Sequence, residues 1–540
     1  MTGGEALVAS LVREGVRVIF GVPGVQLYGT LAALRDEPRI RFIATRHEQA
    51  AAYMADGYAR AGGGIGVGLV VPGPGLLNTL AGLSTAYAAS SPVLMIAGQI
   101  PRAAIGKGFG LLHEVIDQLD AVAPVTKWRR RVLDVASIPE AVREAMRQLR
   151  TGRPRPVEIE IPPDTMEEEG DAVLLDPAPA ARPAADPAAV DAAAALLAGA
   201  ARPVIYAGGG VHASGAHEAL AAVAEFLQAG VVQSPEGKGA ISDHHPLSLG
   251  AAVWPGSPLR EHLDQADVVL AVGTRLAVGL DPAQQVVHID IDPDEIGRAH
   301  PRTLGLAGDA RSTLLALLAA LRARAEPRAS GERELATLRS RAASTGVLEP
   351  QASILRSLRA GTPEDAIVVV DMTQIGYYAR PFWPVYAPRT YLTPSYSGNL
   401  GFAFPTALGA KVARPDRPVV AVVGDGGFLF NAQELATAVQ HRINVVVALF
   451  NDHAYGNVAR DMDESWGGTI GTDLHNPDFM TLAQAFGAAG LRARDPTEVG
   501  ALVRQALTLD RPAIVEVPVG RMSEPPYRTP RQAPAPRRRR

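Results

Sequence analysis

Short runs of β-branched and other apolar residues alternate with Ala/Leu-rich segments of helical period along nearly the whole chain. The strand-like runs fall at 16–20, 65–71 and 93–97, then at 204–206, 268–272 and 286–291, and again at 367–370, 419–423 and 445–450. Strands alternating with helices in this way predict an α/β fold of parallel, doubly wound sheets. Two stretches break the pattern: 174–190 is rich in Pro and Ala, and 322–334 is charged, with Pro and Gly inside it. Neither composition holds a regular element throughout. Three doubly wound domains are therefore expected, at 1–170, 187–322 and 345–525, followed by a tail at 526–540.

The third block carries the clearest chemistry. Its run 419–423 stops at Gly424-Asp425-Gly426-Gly427, a helix is expected next, and the run 445–450 stops at Asn451-Asp452. The result is a βαβ unit with a carboxylate at the end of each strand. Ligands of open parallel sheets sit beyond the carboxyl ends of the strands, so Asp425 and Asp452 should face one crevice. Two hard oxygen donors there suit Mg2+. Glycines allow a sharp turn that brings backbone N–H groups close to phosphate oxygens. Asn431, with Glu434 three residues on, reads as the N-cap and capping box of the following helix.

These residues resemble the thiamine diphosphate (ThDP) enzymes of the acetolactate synthase and benzoylformate decarboxylase superfamily, whose motif is Gly-Asp-Gly, a spacer in the mid-twenties and Asn-Asn. Here 24 residues separate Gly426 from Asn451, and Asp452 stands where the family usually has Asn. The resemblance implies a pyrimidine-binding, a central and a diphosphate-binding domain, in that order. It also implies that Asp425, Asp452 and the backbone carbonyl of Ala454 hold Mg2+, with Gly424, Gly426, Gly427, Tyr455 and Gly456 around the cofactor diphosphate.

A second segment, Arg46-His47-Glu48 running on to Asp56-Gly57-Tyr58-Ala59-Arg60, is similar to the family stretch that carries the catalytic glutamate. Read locally, Thr45-x-x-Glu48 is a capping box that opens a helix. Read by the resemblance, Glu48 hydrogen-bonds the cofactor's aminopyrimidine and so promotes removal of the thiazolium C2 proton, after which the cofactor stores the electrons that decarboxylation releases. The third segment is Ser397-Gly398-Asn399-Leu400-Gly401. There the resemblance makes Leu400 the wedge that keeps ThDP bent, so that the reacting geometry is set in advance, with Gly398 and Asn399 beside it.

Softer matches place Asn78 and Gln99 at the pocket, although a turn residue and a strand-end residue need no such role. Gln374 matches a diphosphate-contacting glutamine, while Ile375 replaces a histidine common in acetolactate synthases. His113 falls where relatives have a pocket Gln or His; it is a candidate proton relay near neutral pH, or an ordinary half-buried histidine. The segments Gly208-Gly209-Gly210, Gly237-Lys238-Gly239 and His288-Ile289-Asp290 resemble the family's central domain, which binds FAD in acetolactate synthases and ADP or nothing in others. A glycine triplet leaves FAD possible without requiring it.

Composition narrows the remaining classes. A net charge of −4 gives no reason to expect nucleic acid or an anionic membrane as partner, and zero cysteines exclude thiol catalysis and Cys-ligated metals. With no leader-like N-terminus and no apolar run of spanning length, a cytoplasmic protein is expected. The Arg537 to Arg540 run reads as a solvated tail. Acetolactate synthases carry Gln-Trp-Gln after the metal loop, where this chain has Arg460-Asp461-Met462, and Trp466 lies five residues past the matching position. The expected activity is thus decarboxylation of a 2-oxo acid or related ketone with transfer of the carbanion, as in acetolactate synthases, or its protonation, as in benzoylformate decarboxylase. Family architecture implies a homodimer or homotetramer with its sites at the subunit interface. A non-catalytic ThDP-fold subunit and a nicotinamide dehydrogenase are the alternatives; for the latter, Gly62 to Gly68 precedes its strand where the dinucleotide fingerprint follows one.

Overall fold

The computed structural model describes residues 1–527; the arginine run expected to form a tail lies outside them. Three six-stranded sheets, all of parallel pairs, account for the strands. The first contains β1 (Val18–Gly21), β2 (Arg41–Ala44), β3 (Gly66–Val70), β4 (Val93–Gly98), β5 (Trp128–Arg131) and β6 (Val157–Ile161), in the order β2-β1-β3-β4-β6-β5. The second holds β7 (Pro203–Ala207), β8 (Gly230–Gln233), β9 (Ser248–Gly250), β10 (Val268–Val272), β11 (Gln285–Asp290) and β12 (Thr303–Ala307), ordered β12-β11-β10-β7-β8-β9. The third holds β13 (Ile367–Val370), β14 (Tyr391–Leu392), β15 (Val419–Gly424), β16 (Val446–Asn451), β17 (Ala489–Arg492) and β18 (Ala513–Pro518), ordered β14-β13-β15-β16-β18-β17. The expected α/β fold of three doubly wound parallel sheets is the one observed.

The breaks between blocks are shorter than composition suggests. Helix Pro187–Gly199 starts inside the Pro/Ala stretch because Asp186 caps it and Pro187 occupies its first turn, where a missing N–H costs nothing. Helix Glu332–Ser344 likewise starts inside the charged stretch and buries Leu335, Leu338 and Ala342 in the second sheet's core. At the other end, Tyr527 lies against the body, its hydroxyl donating to the Tyr377 carbonyl at 2.9 Å.

The first and third sheets share one hydrophobic core. Ala51 to Ala55 on helix Glu48–Tyr58 pack with Phe402 to Leu408 at helix Ala403–Ala413, together with Val70, Met95, Val419 and Val447 from the two sheets. The helices approach so closely that a Cβ on Gly57 would overlap the Thr406 carbonyl oxygen, and one on Gly409 the Met54 carbonyl oxygen. Beside this contact, both oxygens of buried Glu434 accept from the Arg46 backbone N–H at 3.1 Å, and one accepts from the Thr437 hydroxyl. Burial raises the Glu434 pKa against those hydrogen bonds.

That arrangement corrects the expected capping box. Helix Glu434–Gln440 has no side-chain cap; Asn431 donates instead to the Gly401 carbonyl at 2.8 Å. Glu434 points away from its own helix start to join the first domain.

Because the helix pair depends on bare glycine backbone, Gly409→Ala should lower stability by about 2 kcal/mol through overpacking, even though alanine is the better helix former. Gly199→Ala, with nothing within 4 Å of its Cβ, should be neutral or gain up to about 1 kcal/mol. Urea denaturation of both variants beside the parent checks the contrast.

Candidate active site

The third sheet reverses its winding between β13 and β15, which is where an open sheet leaves a ligand crevice at its carboxyl edge. Asp371 follows β13 there, Asp425 follows β15, and Asp452 follows β16. Gly424 pairs in register with Phe450, so the two metal-candidate aspartates leave neighbouring strands almost level with each other.

Asp425 is 1% exposed and fixed from outside the motif. Asn476 donates to its Oδ2 at 2.6 Å and to Asn451 Oδ1 at 2.9 Å. Asn451 in turn donates to Glu516 Oε1 at 2.8 Å, and Arg492 holds the other Glu516 oxygen at 2.7 Å. Asp452 accepts from Gln374 Nε2 at 2.6 Å, while Gln374 Oε1 accepts from the Met522 N–H at 2.7 Å. Burial first, and the Asp425 charge second, hold the Asp452 carboxyl well above the usual carboxylate range. Two neighbouring carboxylates with this conflict are stabilised by a divalent cation. Among the described residues no third His, Cys, Asp or Glu joins them.

The glycines beside the aspartates are tightly packed by neighbouring side chains and admit no Cβ without displacing them. A Cβ on Gly456 would overlap Asp452 Oδ2, one on Gly426 would lie 2.6 Å from the Tyr455 ring, and one on Gly427 would lie 3.2 Å from Asp371 Oδ2. Several buried polar atoms around the crevice have no protein partner, among them Asp371 Oδ2, Asn431 Oδ1, Thr472 Oγ1 and Asn476 Oδ1. Burial pushes Asp371 up to about 6 although backbone N–H groups, including that of Met372, oppose the shift. Polar atoms left without a partner in the interior are uncommon in folded proteins, and here several gather at the carboxyl edge of the third sheet.

Glu48 opens helix Glu48–Tyr58, whose N-cap is His47, its Nδ1 accepting from the Gln49 N–H at 3.1 Å. The capping box read from Thr45 and Glu48 does not form: Thr45 donates to the His47 carbonyl at 3.0 Å. Glu48 Oε2 instead accepts from Asn78 Nδ2 at 3.0 Å, and Asn78 is exposed. The structure thus joins two of the sequence candidates. Leu400 is half-buried in a turn between Gly398 and Gly401, both at positive φ (65° and 76°), and is no ordinary core leucine. Asn399 is drawn elsewhere, its amide donating to the Ala81 carbonyl at 2.7 Å and to Ser84 and Tyr53 at 3.2 Å, which ties that turn to the first domain. Gln99 is buried and accepts from the Ile100 N–H at 2.7 Å. His113 is half-buried at φ 69°, with Nδ1 3.1 Å from Gln26 Oε1. Ala454 lies in a bridge with Asp473 whose ladder bonds use the flanking residues: Tyr455 N–H donates to the Thr472 carbonyl, and Leu474 N–H to that of His453. No hydrogen bond or ion pair among the described residues links the Glu48 pair with the Asp425 pair.

The family descriptions that match this architecture are "Thiamine pyrophosphate enzyme, N-terminal TPP binding domain" over residues 1–123, the corresponding central domain over 190–317, and the C-terminal TPP binding domain over 371–517. The chain belongs to the thiamine pyrophosphate enzymes. It is 40% identical over 515 residues to the Pseudomonas aeruginosa protein named probable 2-ketoarginine decarboxylase AruI, covering 92% of this chain and 90% of that one. It is 34% identical to a probable acetolactate synthase large subunit of Methanocaldococcus jannaschii, covering 96% and 92%, and 32% identical to acetolactate synthase isozyme 3 large subunit of Escherichia coli, covering 94% and 92%. This thiamine pyrophosphate enzyme is accordingly of the carboligase and decarboxylase kind.

Asp371, Asn476 and Glu516 were missed in the sequence because they stand outside any local motif; Asn476 reaches Asp425 across 51 positions. Asp371 alone had a signal, as a carboxylate closing the strand-like run 367–370.

Since Gly456 leaves no room for a Cβ beside Asp452 and Gln374, Gly456→Ala should raise the ThDP dissociation constant at saturating Mg2+ by about tenfold or more, the order of one displaced charged hydrogen bond. Isothermal titration calorimetry reads that change, with thermal unfolding as the control for folding.

Proposed function

We propose that this enzyme binds Mg2+ and ThDP and decarboxylates a 2-oxo acid, at a site that a second copy of the chain completes. The observation that carries the reading is the presence of two incomplete halves: an exposed Glu48–Asn78 pair on the first domain and the Asp425–Asp452 crevice on the third. Bound ThDP supplies a nucleophilic carbon and a sink for the electrons of the breaking bond. In this reading Asp425, Asp452 and the Ala454 carbonyl hold the cation, and Gly424, Gly426, Gly427 and Gly456 bring the backbone close to the diphosphate. Glu48 Oε1, which Asn78 does not engage, is the atom that exchanges a hydrogen bond with the pyrimidine. Leu400 supplies the apolar wedge.

Exposed apolar side chains support the pairing of two copies. Leu77 stands next to Asn78 in the chain and Leu112 next to His113, at 38% and 64% exposed; Val458 and Ile470, at 52% and 82%, follow the metal-candidate loop in the chain. Isolated exposed leucines need no explanation, but sets of them beside both half-sites favour burial against a partner. Among the described residues no helix is long and apolar enough to cross a membrane.

Protonation of the carbanion is favoured over transfer to a second 2-oxo acid. Arg460 is 2% exposed and its guanidinium lies 3.1 Å from Asp461 Oδ1, so an ion pair occupies the stretch that carries Gln-Trp-Gln in acetolactate synthases. Because one relative is named for 2-ketoarginine, that arginine-derived 2-oxo acid is the first substrate to assay. A cavity of about 830 Å3 between the domains, lined by Gly209, Gly210, Arg60, Arg275, Arg389 and Asp290 among others, is our candidate for a nucleotide site of the central domain. Its arginines suit a diphosphate, which FAD and ADP share.

Glu48→Gln should cut turnover at least about a hundredfold, the usual worth of a positioned acid–base group. The helix-terminal charge it removes costs about 1 kcal/mol of stability at most. A steady-state assay with a denaturation curve separates the two, and full activity in the variant would remove Glu48 from its role. Incubation of purified protein, ThDP and Mg2+ with a panel of 2-oxo acids should release CO2 and an aldehyde; accumulation of a 2-hydroxy-2-alkyl-3-oxo acid would favour transfer instead.

A further inference from the structure

Gln26 has no part in the site so far, yet its surroundings are unusually restrictive. It lies in the short helical turn Val25–Leu27 beyond β1 and is 7% exposed. Its Nε2 donates to the Leu112 carbonyl at 3.2 Å, and its Oε1 lies 3.1 Å from His113 Nδ1. The base of its side chain lies against Gly98, where an ideal Cβ would stand 3.2 Å from Gln26 Cβ.

These contacts determine a proton position. A carbonyl oxygen only accepts, so the Leu112 contact requires the NH2 end of the Gln26 amide. The oxygen end is then left facing His113 Nδ1, and it too only accepts. Nδ1 must carry the hydrogen. In the neutral ring Nε2 is consequently bare, on the edge opposite Gln26, and it has no hydrogen-bond partner among the described residues.

The backbone carrying His113 is equally constrained. His113 adopts φ 69°, in the left-handed region that histidine enters more readily than most side chains. A Cβ on Gly73 would collide with the His113 carbonyl oxygen. Gln118 pins the same loop, accepting from the Gly73 N–H at 3.0 Å and donating to the Gly98 carbonyl at 2.8 Å. Gly73 leads into helix Pro74–Asn78, whose Asn78 bonds Glu48, and a Cβ on Gly75 would lie 3.7 Å from Glu48 Oε1. His113 and Glu48 therefore both contact the six-residue segment Gly73 to Asn78.

We infer that Gln26 is a positioning residue that locks His113 in its Nδ1–H tautomer and presents a bare Nε2 to the substrate side of the Glu48 half-site. Free histidine in water prefers the other tautomer, with the proton on Nε2. Only the locked form offers an acceptor for a polar hydrogen of the substrate, and a ring that has taken up that proton is placed to return it. The tautomer is a property of the chain alone; the catalytic use of Nε2 rests on the function proposed above.

The test reads both. Full-length protein labelled with 15N-histidine is sedimented and its ring nitrogens observed by solid-state NMR, with the His113 signals identified by their loss in His113→Gln. A protonated Nδ1 and an unprotonated Nε2 are expected in the parent. Gln26→Met removes the acceptor and should move most of His113 to the Nε2–H form, with a fall in kcat of about fivefold or more, the worth of one neutral hydrogen bond, and little change in KM or Tm. Gln26→Glu keeps an acceptor at Nδ1 and should keep the Nδ1 proton, although its carboxylate cannot donate to the Leu112 carbonyl. In a His113→Gln background, Gln26→Met should cost nothing further. A parent His113 carrying its proton on Nε2, or a tautomer unchanged in Gln26→Met, overturns the inference. So does a His113 that carries no proton on Nδ1 in Gln26→Glu. If no 2-oxo acid is turned over by the parent, the functional reading fails while the NMR arm still decides the tautomer. Should Gln26→Met not fold, the parent spectrum decides it alone.

Discussion

Two aspartates at the ends of adjacent parallel strands cannot both be comfortable without a cation between or beside them. The register of β15 with β16 puts them there: Gly424 opposite Phe450 leaves Asp425 and Asp452 at nearly one level, on strands about 4.8 Å apart. Hydrogen bonds then remove their freedom to part. Asn476 holds Asp425 from one side, and Gln374, itself fixed by the Met522 backbone, holds Asp452 from another. The fold stores an electrostatic conflict beside the sheet's switch point, which in the proposed function a divalent cation with a diphosphate would relieve.

The same logic of constraint reaches the first domain. Glu48 is placed by a helix whose packing leaves no room for a side chain at Gly57, and whose approach is secured by buried Glu434 accepting from the Arg46 backbone. A residue that reads locally as a helix cap thus serves as a bracket between domains. The first and third domains share one core, so the Glu48 half-site and the metal half-site are held rigidly within a chain even though no bond joins them directly.

How much of this was legible in the sequence follows from the range of each interaction. Strand runs such as 268–272 and 419–423, and the Gly-Asp-Gly turn, are local patterns whose physical reading needs only their neighbours, and they announced the sheets and Asp425. Capping boxes were misread at both Thr45 and Asn431 for the same reason: a side chain that satisfies a local rule took a distant partner, Asn78 for Glu48 and Gly401 for Asn431. Asn476 and Glu516 are invisible locally, because nothing in their own segments reveals that strands ending elsewhere will meet them, whereas Asp371 closes a readable strand run. The start of helix Glu332–Ser344 was missed because charged surface positions outnumber its three buried ones.

The central claim is that Glu48 from one copy serves the Asp425 crevice of another. Glu48→Gln and Asp425→Asn, each inactive alone, should regain about one quarter of the parent's turnover when mixed in equal amounts and allowed to exchange subunits, since half of the dimers are mixed and each of those has one intact site of two. If native mass spectrometry shows the mixed dimers forming and the mixture nonetheless stays inactive, the two halves do not combine across an interface and the account is wrong.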